Sequence, residues 1–176
     1  IVHPIVDKRV PDYEGVNQQL ALRKVGETSD SIIVSGARIL ATLGPFADEL
    51  AVYPGHPIPP SQPNIAIAFS VPMNAPGLKV LCRDHYGVDR NVFDHPFSSR
   101  FYEQDAFVIF DEVEVPKHRV FCDSNPIVFN SALRNGWTGN IMQQTVVRAL
   151  VKLEFAYDLA NRIAKVTGQM ERSDVT

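Results

Sequence analysis

The chain has 176 residues, of which 45% are apolar and 21% are charged, and its formal net charge is −3 at pH 7. This length and composition are typical of one globular domain, or of one domain with part of a second. The slightly acidic balance argues against a nucleic-acid-binding surface. No run of about 18 apolar residues is present, which argues against a membrane-spanning helix.

The cysteine content and the first residues indicate the cellular setting. Two cysteines, Cys82 and Cys122, are too few for a disulfide framework, so we expect two buried, reduced thiols and no metal site. Residues 1–7 lack the pattern of a signal peptide and an initiator Met, which suggests a fragment or a trimmed product. We therefore expect a cytoplasmic protein.

Short apolar segments bounded by Pro, Gly or Asp fill the first two thirds of the chain and predict strands. Gly36, inside one of them, indicates a bulge or a tight turn. The predicted strands are residues 19–25, 31–43, 50–53, 64–71, 78–83 and 106–115. Six or seven short strands of this kind are typical of an antiparallel β-barrel or sandwich.

The strand predicted at residues 106–115 has two apolar sets. One set recurs at odd positions, with a break at Asp111, and a period of two places it on one face of a sheet. It consists of Phe107, Ile109, Val113 and Val115. Val108 and Phe110 fall on the opposite face, which predicts a strand covered on both sides.

A long amphipathic helix is predicted at residues 141–167, where apolar side chains recur every three or four positions. Gly168 occupies the position of a C′ glycine, and Asn140 or Thr138 is a candidate N-cap. One small barrel cannot cover this apolar stripe, so the helix requires further helices from the same chain or from another subunit. We assign residues 1–127 to a β-barrel domain and 128–176 to a linker and this helix.

Residues 38–50, 68–83 and 93–121 together resemble the oxygenase component of the 4-hydroxyphenylacetate 3-hydroxylase family, and so does the segment R-A-L-V-K-L-E-F at 148–155. These are two-component, reduced-flavin-dependent phenol monooxygenases with an acyl-CoA dehydrogenase-like fold. The resemblance implies that residues 1–127 are the middle β domain. It further implies that the long helix is the first of a C-terminal helical bundle, with the N-terminal helical domain absent.

The resemblance implies ortho-hydroxylation of a phenol by a flavin C4a-hydroperoxide. FADH₂ would come from a separate flavin reductase, and O₂ would supply the transferred oxygen. The expected assembly is a homo-oligomer, a dimer or tetramer formed through the C-terminal helices, without nucleic acid or membrane partners. The protein has to hold the flavin, exclude water and favour the phenolate form of the substrate.

The resemblance also implies residues on the substrate side. His3, in V-H-P-I-V-D, matches a histidine near the phenol oxygen, a role that a pKa near neutrality suits. The alternative for His3 is a histidine that only caps a loop. Five prolines mark residues 54–63 as an ordered loop, where the family has a mobile loop over the substrate. Gly55 and His56 are candidates there, and an exposed loop histidine is the alternative for His56.

On the flavin side, Arg9 and Asp12 match a polar stretch that contacts the flavin in the family, although the loop here is shorter. A solvated surface arginine is the alternative for Arg9. Thr42, in A-T-L, matches a position that lines the flavin, where its hydroxyl can bond the isoalloxazine edge. On a strand, that hydroxyl can instead satisfy the backbone.

Two other functions stay open at the level of sequence. One is a flavoenzyme of the same fold that acts on a CoA ester as a dehydratase or dehydrogenase. The other is an inactive, truncated β module that serves only in binding or assembly.

Overall fold

The computed structural model describes residues 7, 9–10, 20–87, 90–101, 103–170 and 172. The chain divides into two compact units, Ile1–Ser131 and Ala132–Thr176. The boundary expected between residues 127 and 128 stays a prediction.

The first unit contains two antiparallel sheets. The described strands are β1 (Arg23–Glu27), β2 (Ser31–Arg38), β3 (Glu49–Val52), β4 (Ala68–Pro72), β5 (Leu78–Cys82), β6 (Ala106–Pro116) and β7 (Val120–Cys122). One sheet has the order β1-β2-β6-β5 and the other β3-β4-β7. A described strand thus overlaps each predicted β segment, but the bounds differ. The segment predicted at 31–43 ends as a strand at Arg38, the regular strand of the first segment begins at Arg23, and the segment from residue 64 enters β4 through a 3₁₀ turn, Pro63–Ile65.

The two sheets share one hydrophobic core, which makes the unit a sandwich. Ile32 and Val34 reach this core from β2, and Phe69 and Val71 reach it from β4. The rings of Phe69 and Phe110 meet edge to face, with centroids 5.9 Å apart and planes at 87°. Such aromatic contacts between facing strands stabilise the sandwich beyond the area they bury. The predicted antiparallel β-structure, followed in the chain by a long helix, is confirmed.

The prediction of a strand covered on both sides at residues 106–115 is wrong, because the buried side chains are not the set that was predicted to share one face. Val108, Phe110, Val113 and Val115 are buried, whereas Phe107 is 37% exposed. The phase changes because β6 carries a bulge: Val34 pairs with Val113 and Gly36 with Phe110, so β6 has one more residue than β2 in this interval. Glu112 takes a φ of 52° there. The strand continues past Asp111 and is buried on one face.

Gly36 confirms the irregularity predicted in β2. Its φ is 125°, and a Cβ at this position would lie 2.3 Å from the carbonyl oxygen of Ala21. Only glycine allows the backbone to approach so closely with a positive φ. The close approach accompanies a parallel bridge between Ala21 and Ala37.

Two α-helices lie in the last third of the chain, α1 (Pro126–Ala132) and α2 (Thr138–Val166), with a π-helical turn, Leu133–Trp137, between them. The predicted caps at Thr138 and Asn140 are wrong, because the residue before α2 is already helical. Thr138 instead donates its hydroxyl to the carbonyl of Leu133 at 2.8 Å. Gly168, with a φ of 70°, ends the helix as predicted.

Apolar side chains of α2 are exposed within the second unit, among them Val146, Leu150 and Leu153. In the part of the chain that the structure describes, no helix is long and apolar enough to span a bilayer. Both cysteines are free thiols. Cys122 is buried as predicted, but Cys82 is exposed.

Candidate functional site

The loop that follows β2 runs alongside the residues that precede β6. The backbone N–H of Ala41 donates to the carbonyl of Ala106 at 3.0 Å, and that of Leu43 donates to the carbonyl of Gln104 at 2.7 Å. These two bonds extend the pairing of β2 with β6 beyond the regular strands. Residues 41–43 are therefore held at the end of the four-stranded sheet.

Thr42 and Asp105 lie between these two backbone bonds. The Thr42 hydroxyl donates to Asp105 Oδ1 at 2.7 Å. Thr42 is exposed and Asp105 is half-buried. Because the carboxylate takes the only hydroxyl proton, the hydroxyl oxygen keeps lone pairs that face the surroundings.

Exposed apolar residues surround Thr42 in sequence. Leu40 is 60% exposed, Leu43 46% and Phe46 61%. Leu40 and Leu43 take φ values of 63° and 58°, a left-handed conformation that costs a non-glycine residue about 1–3 kcal/mol. Strain and exposed apolar area within one short loop are typical of a binding surface.

A network of polar contacts fixes residues 103–105, which pair with the loop at residues 41–43. Gln104 is buried, and its side-chain amide donates to the carbonyl of Arg83. The Arg83 guanidinium donates to the carbonyl of Glu103 and stacks 4.2 Å from the ring centroid of Tyr86. These contacts hold residues 103–105 beside β5.

Arg38, the last residue of β2, is completely buried. Its burial lowers the pKa of the guanidinium to about 9. A charged side chain in a sandwich core has to be stabilised by polar neighbours. It pairs with Val108 of β6 at the end of β2, four residues before Thr42.

The proline-rich loop is anchored to α1. The backbone N–H of Ile58 donates to Asn130 Oδ1 at 2.9 Å, and Asn130 Nδ2 donates back to the carbonyl of Ile58 at 2.8 Å. Ile58 is buried, whereas Gly55 is exposed and His56 half-buried. The tip of the anchored loop is thus exposed at Gly55, whereas the Nε2 atom of His56 is buried.

The remaining predicted residues lie near the N-terminus. Arg9 is exposed and makes a bidentate pair with Asp7, with Nε–Oδ1 at 3.0 Å and Nη2–Oδ2 at 2.9 Å. This pair lowers the pKa of the Asp7 carboxyl. His3 and Asp12 lie outside the described residues. Their roles, like that of Arg9, stay predictions.

Sequence reasoning missed Asp105, Leu40 and Leu43. Asp105 lies in the motif that carries the family resemblance, directly before β6, but sequence alone gives it no partner. The left-handed backbone of the two leucines has no sequence signal, because glycine and asparagine are the usual residues at such positions.

The arrangement suits a flat, partly polar ring system. Exposed leucine and phenylalanine side chains favour an apolar aromatic surface, and the Thr42 oxygen offers an acceptor at its edge. The isoalloxazine of a flavin combines these two properties. Within the described residues, no three His, Cys, Asp or Glu side chains are grouped as a metal site.

Comparison with known proteins supports this assignment. The family model described as "4-hydroxyphenylacetate 3-hydroxylase N terminal" matches residues 1–122. The 4-hydroxyphenylacetate 3-monooxygenase oxygenase component of Geobacillus sp. is 36% identical over 158 residues, which are 88% of this chain and 32% of that protein. The 4-nitrophenol 2-monooxygenase oxygenase component of Rhodococcus sp. is 33% identical over 172 residues, which are 96% of this chain and 32% of the relative.

A solved structure agrees with both sequence comparisons. It is a crystal structure of the oxygenase component of 4-hydroxyphenylacetate 3-monooxygenase complexed with FAD and 4-hydroxyphenylacetate. The TM-score is 0.82 at 33% identity, over 94% of this chain and 35% of that one. The chain thus spans about a third of the length of these relatives. It belongs to the 4-hydroxyphenylacetate 3-hydroxylase family.

Proposed function

We propose that the chain is part of the oxygenase component of a two-component, FADH₂-dependent monooxygenase that hydroxylates a phenol beside its hydroxyl group. The likeness to a solved oxygenase bound to FAD and 4-hydroxyphenylacetate carries this proposal, because it combines a TM-score of 0.82 with 33% identity. Fold alone would not support a function, since one fold hosts many chemistries.

The names of the relatives favour one position of attack. One relative hydroxylates 4-hydroxyphenylacetate at carbon 3, and another acts on 4-nitrophenol at carbon 2. Both carbons are adjacent to the carbon that bears the hydroxyl group, and both substrates are substituted opposite that hydroxyl. We therefore propose a para-substituted phenol as substrate and the corresponding catechol as product.

The balanced reaction converts the phenol, O₂ and FADH₂ into the catechol, water and FAD. Reduced flavin supplies the two electrons and activates O₂ when it is bound. The chain's own task is to position the flavin ring, with Thr42 at its edge, and to keep water away with Leu40, Leu43 and Phe46. Arg9 and Asp12 are proposed as further contacts to the flavin.

On the substrate side, the proposed residues are His3, Gly55 and His56. A neutral histidine beside the phenol hydroxyl accepts its proton and makes the neighbouring ring carbon more electron-rich. His3 is assigned this role. Gly55 and His56 are proposed to line the phenol ring, in a loop that the bonds between Asn130 and Ile58 hold in place.

Two protein partners belong to the proposal. A separate flavin reductase provides FADH₂, as the term "oxygenase component" in the names of the relatives implies. The second partner is another copy of the chain, in a dimer or tetramer that forms through the C-terminal helices. The proposed location of the reaction is the cytoplasm. Exposed apolar residues of α2, such as Leu150 and Leu153, favour such an assembly.

A coupled assay tests the proposal. The protein is expressed with all the sequence that its gene encodes and is mixed with FAD, NADH, a flavin reductase and either 4-hydroxyphenylacetate or 4-nitrophenol. We expect the catechol, identified by mass spectrometry, only when all components are present. NADH consumption that yields hydrogen peroxide but no catechol from any para-substituted phenol would contradict the proposal.

A further inference from the structure

A cavity of about 260 Å³ lies in the connection between β5 and β6. The N–H of Arg83, the residue after β5, donates to the carbonyl of Asp105 at 3.4 Å, so the cavity lies on the β5 side of β6. The loop at residues 41–43 pairs on the opposite side, with β2. The described residues that line the cavity are Arg83, His85, Tyr86, Phe97, Ser98, Phe101 and Glu103. None of them is assigned above to the flavin or the phenol.

Two parts of this connection approach each other at Gly87. A Cβ at Gly87 would overlap the backbone carbonyl of Ser98. Only glycine permits so close a backbone approach. The N–H of Gly87 also donates to His85 Nδ1 at 2.8 Å, which orients the imidazole ring. The close approach therefore holds the residues before Gly87 beside Ser98, and this closes the cavity.

Three aromatic side chains form the apolar part of the lining. The N–H of Phe101 donates to the carbonyl of Phe97 at 2.8 Å, and residues four apart in such a turn are neighbours on one face. Phe97 is 58% exposed, Phe101 71% and Tyr86 64%. Exposed aromatic side chains grouped around a cavity are typical of a site that binds an apolar ring.

Arg83 supplies a positive charge that is held in place. Its Nη1 donates to the carbonyl of Asp84 at 3.0 Å, its Nη2 donates to the carbonyl of Glu103, and the guanidinium lies 4.2 Å from the ring centroid of Tyr86. A guanidinium has five N–H donors, and these bonds to described residues use two of them. Its planar arrangement of donors matches a carboxylate. A carboxylate that binds here meets a group that is already oriented.

We propose that this cavity binds a monocyclic aromatic carboxylate, with the ring against Tyr86, Phe97 and Phe101 and the carboxylate at Arg83. The half-buried Ser98 adds a hydroxyl donor. The volume is below the range of about 300–1,000 Å³ that drug-sized ligands need, which favours a single ring with a short acidic substituent. Glu103 opposes an anion, but it is exposed, so water and salt screen its charge. The inference does not depend on the proposed function.

Titration with small probes tests the class of ligand. The protein is expressed with all its encoded sequence, and an excess of 4-methylphenol, a phenol without a carboxylate, keeps the probes out of the proposed phenol site. We expect phenylacetate to bind at least about tenfold more tightly than phenylacetamide, which lacks the charge. Benzylamine, which has the opposite charge, and acetate, which lacks the ring, should bind more weakly still. A preference for the amide or the amine would overturn the inference.

Variants test which residues carry the binding. Phe101→Ala and Arg83→Gln should each weaken phenylacetate binding about tenfold. Glu103→Gln should strengthen it a few-fold, because a like charge is removed. Phe93→Ala is the matched control: Phe93 lies in the same connection and is 88% exposed, but it is not among the lining residues, so the affinity stays unchanged. If Arg83→Gln does not fold, Phe101→Ala and Glu103→Gln decide.

A crystal soaked in 4-bromophenylacetate locates the ligand. We expect an anomalous bromine peak between Phe97 and Phe101. The inference fails if phenylacetate does not bind in solution, if Phe101→Ala and Phe93→Ala have equal affinities, or if no bromine peak lies in this cavity. These outcomes leave the proposed function intact, because the coupled assay measures hydroxylation separately.

Discussion

Asn130 and Ile58 are 72 residues apart in sequence, yet the side-chain amide of Asn130 bonds both backbone groups of Ile58, at 2.9 and 2.8 Å. The amide thereby pairs with the backbone of Ile58 as a neighbouring strand would, in a loop where prolines remove half of the backbone N–H donors. The anchor joins the loop at Gly55 and His56 to the start of the helical region. It explains how a segment without regular structure keeps a defined shape.

Replacing Asn130 with Ala removes this anchor. The N–H and carbonyl of Ile58, a buried residue, lose their partners, which costs about 1–3 kcal/mol of unfolding free energy. We expect faster hydrogen exchange at the amide of Ile58 and a higher KM for the phenol. Asn125→Ala is the control, because it removes an exposed bond to the N–H of Val128 instead. Unchanged exchange at Ile58 in Asn130→Ala would contradict the role of the anchor.

Leu43→Gly tests whether strain at the candidate site serves binding. Glycine relieves the cost of the left-handed backbone, about 1–3 kcal/mol, and adds an entropic cost of about 0.5–1 kcal/mol. We expect the free energy of unfolding to rise by about 1 kcal/mol while flavin affinity falls several-fold, since an apolar contact is lost.

The control for Leu43→Gly is Glu112→Gly at the bulge of β6, where φ is 52°. It relieves similar strain outside the candidate site, so stability rises without a change in flavin affinity. Thermal unfolding and flavin titration measure the two quantities. Equal flavin affinity in Leu43→Gly and the unaltered protein would refute a binding role for this leucine.

Gly36→Ala is expected to be among the most destabilising single changes in the first unit. The added Cβ meets the carbonyl of Ala21 at 2.3 Å, and the φ of 125° is unfavourable for alanine. We expect a loss of about 3 kcal/mol or more in denaturant unfolding. In Gly139→Ala, by contrast, no atom lies within 4 Å of the new Cβ. Within α2 this change stabilises by about 0.5–1 kcal/mol. Equal effects of both changes would contradict the described bulge.

The lowered pKa of Glu27 predicts that the free energy of unfolding depends on pH. Hydrogen bonds from Lys117 at 2.7 Å and from Lys24 at 2.6 Å lower the pKa of Glu27 to about 2. Since the carboxyl titrates near 4.5 when unfolded, the stabilisation is complete above this pH and is lost as the pH falls towards 2. The stability difference between the unaltered protein and Glu27→Gln should shrink over this window.

Lys24 extends the same network to Asp123, at 2.8 Å. Burial by itself would lower the pKa of Lys24, but the hydrogen bonds that Lys24 donates to Asp123 and Glu27 outweigh it and raise the pKa. Glu114→Gln is the control for the pH experiment, because Glu114 is exposed and has no ion pair among the described residues. A pH-independent difference for Glu27→Gln would contradict the ion-pair network.

Much of the fold follows from local patterns. Alternating apolar residues predicted the strands, and Gly36 and Gly168 marked a bulge and a helix end, because glycine takes a positive φ at the lowest cost. The phase of β6 was missed because the sequence shows a break at Asp111 but not its kind. The strand continues there through a bulge at Asp111 and Glu112, which shifts the buried face by one residue. The prediction of an N-cap for α2 was wrong because helical backbone continues from the π turn, Leu133–Trp137, directly into α2. The first turn of α2 therefore needs no capping side chain.

The prediction of the candidate site rested less on sequence patterns than on the family resemblance. That resemblance pointed to Thr42, but the hydroxyl of Thr42 donates its hydrogen bond to Asp105, 63 residues away. A contact of this range cannot be found by spacing along the chain. For His3 and Asp12, placement in the site stays a prediction.

A single-turnover experiment tests the central claim most directly. The protein, expressed with all its encoded sequence, is loaded anaerobically with one equivalent of FADH₂ and 4-hydroxyphenylacetate and is then mixed with ¹⁸O₂-saturated buffer. We expect catechol with one ¹⁸O atom beside the original hydroxyl, in an amount close to that of the bound flavin. Quantitative flavin oxidation that produces only hydrogen peroxide, with this phenol and with 4-nitrophenol, would contradict it.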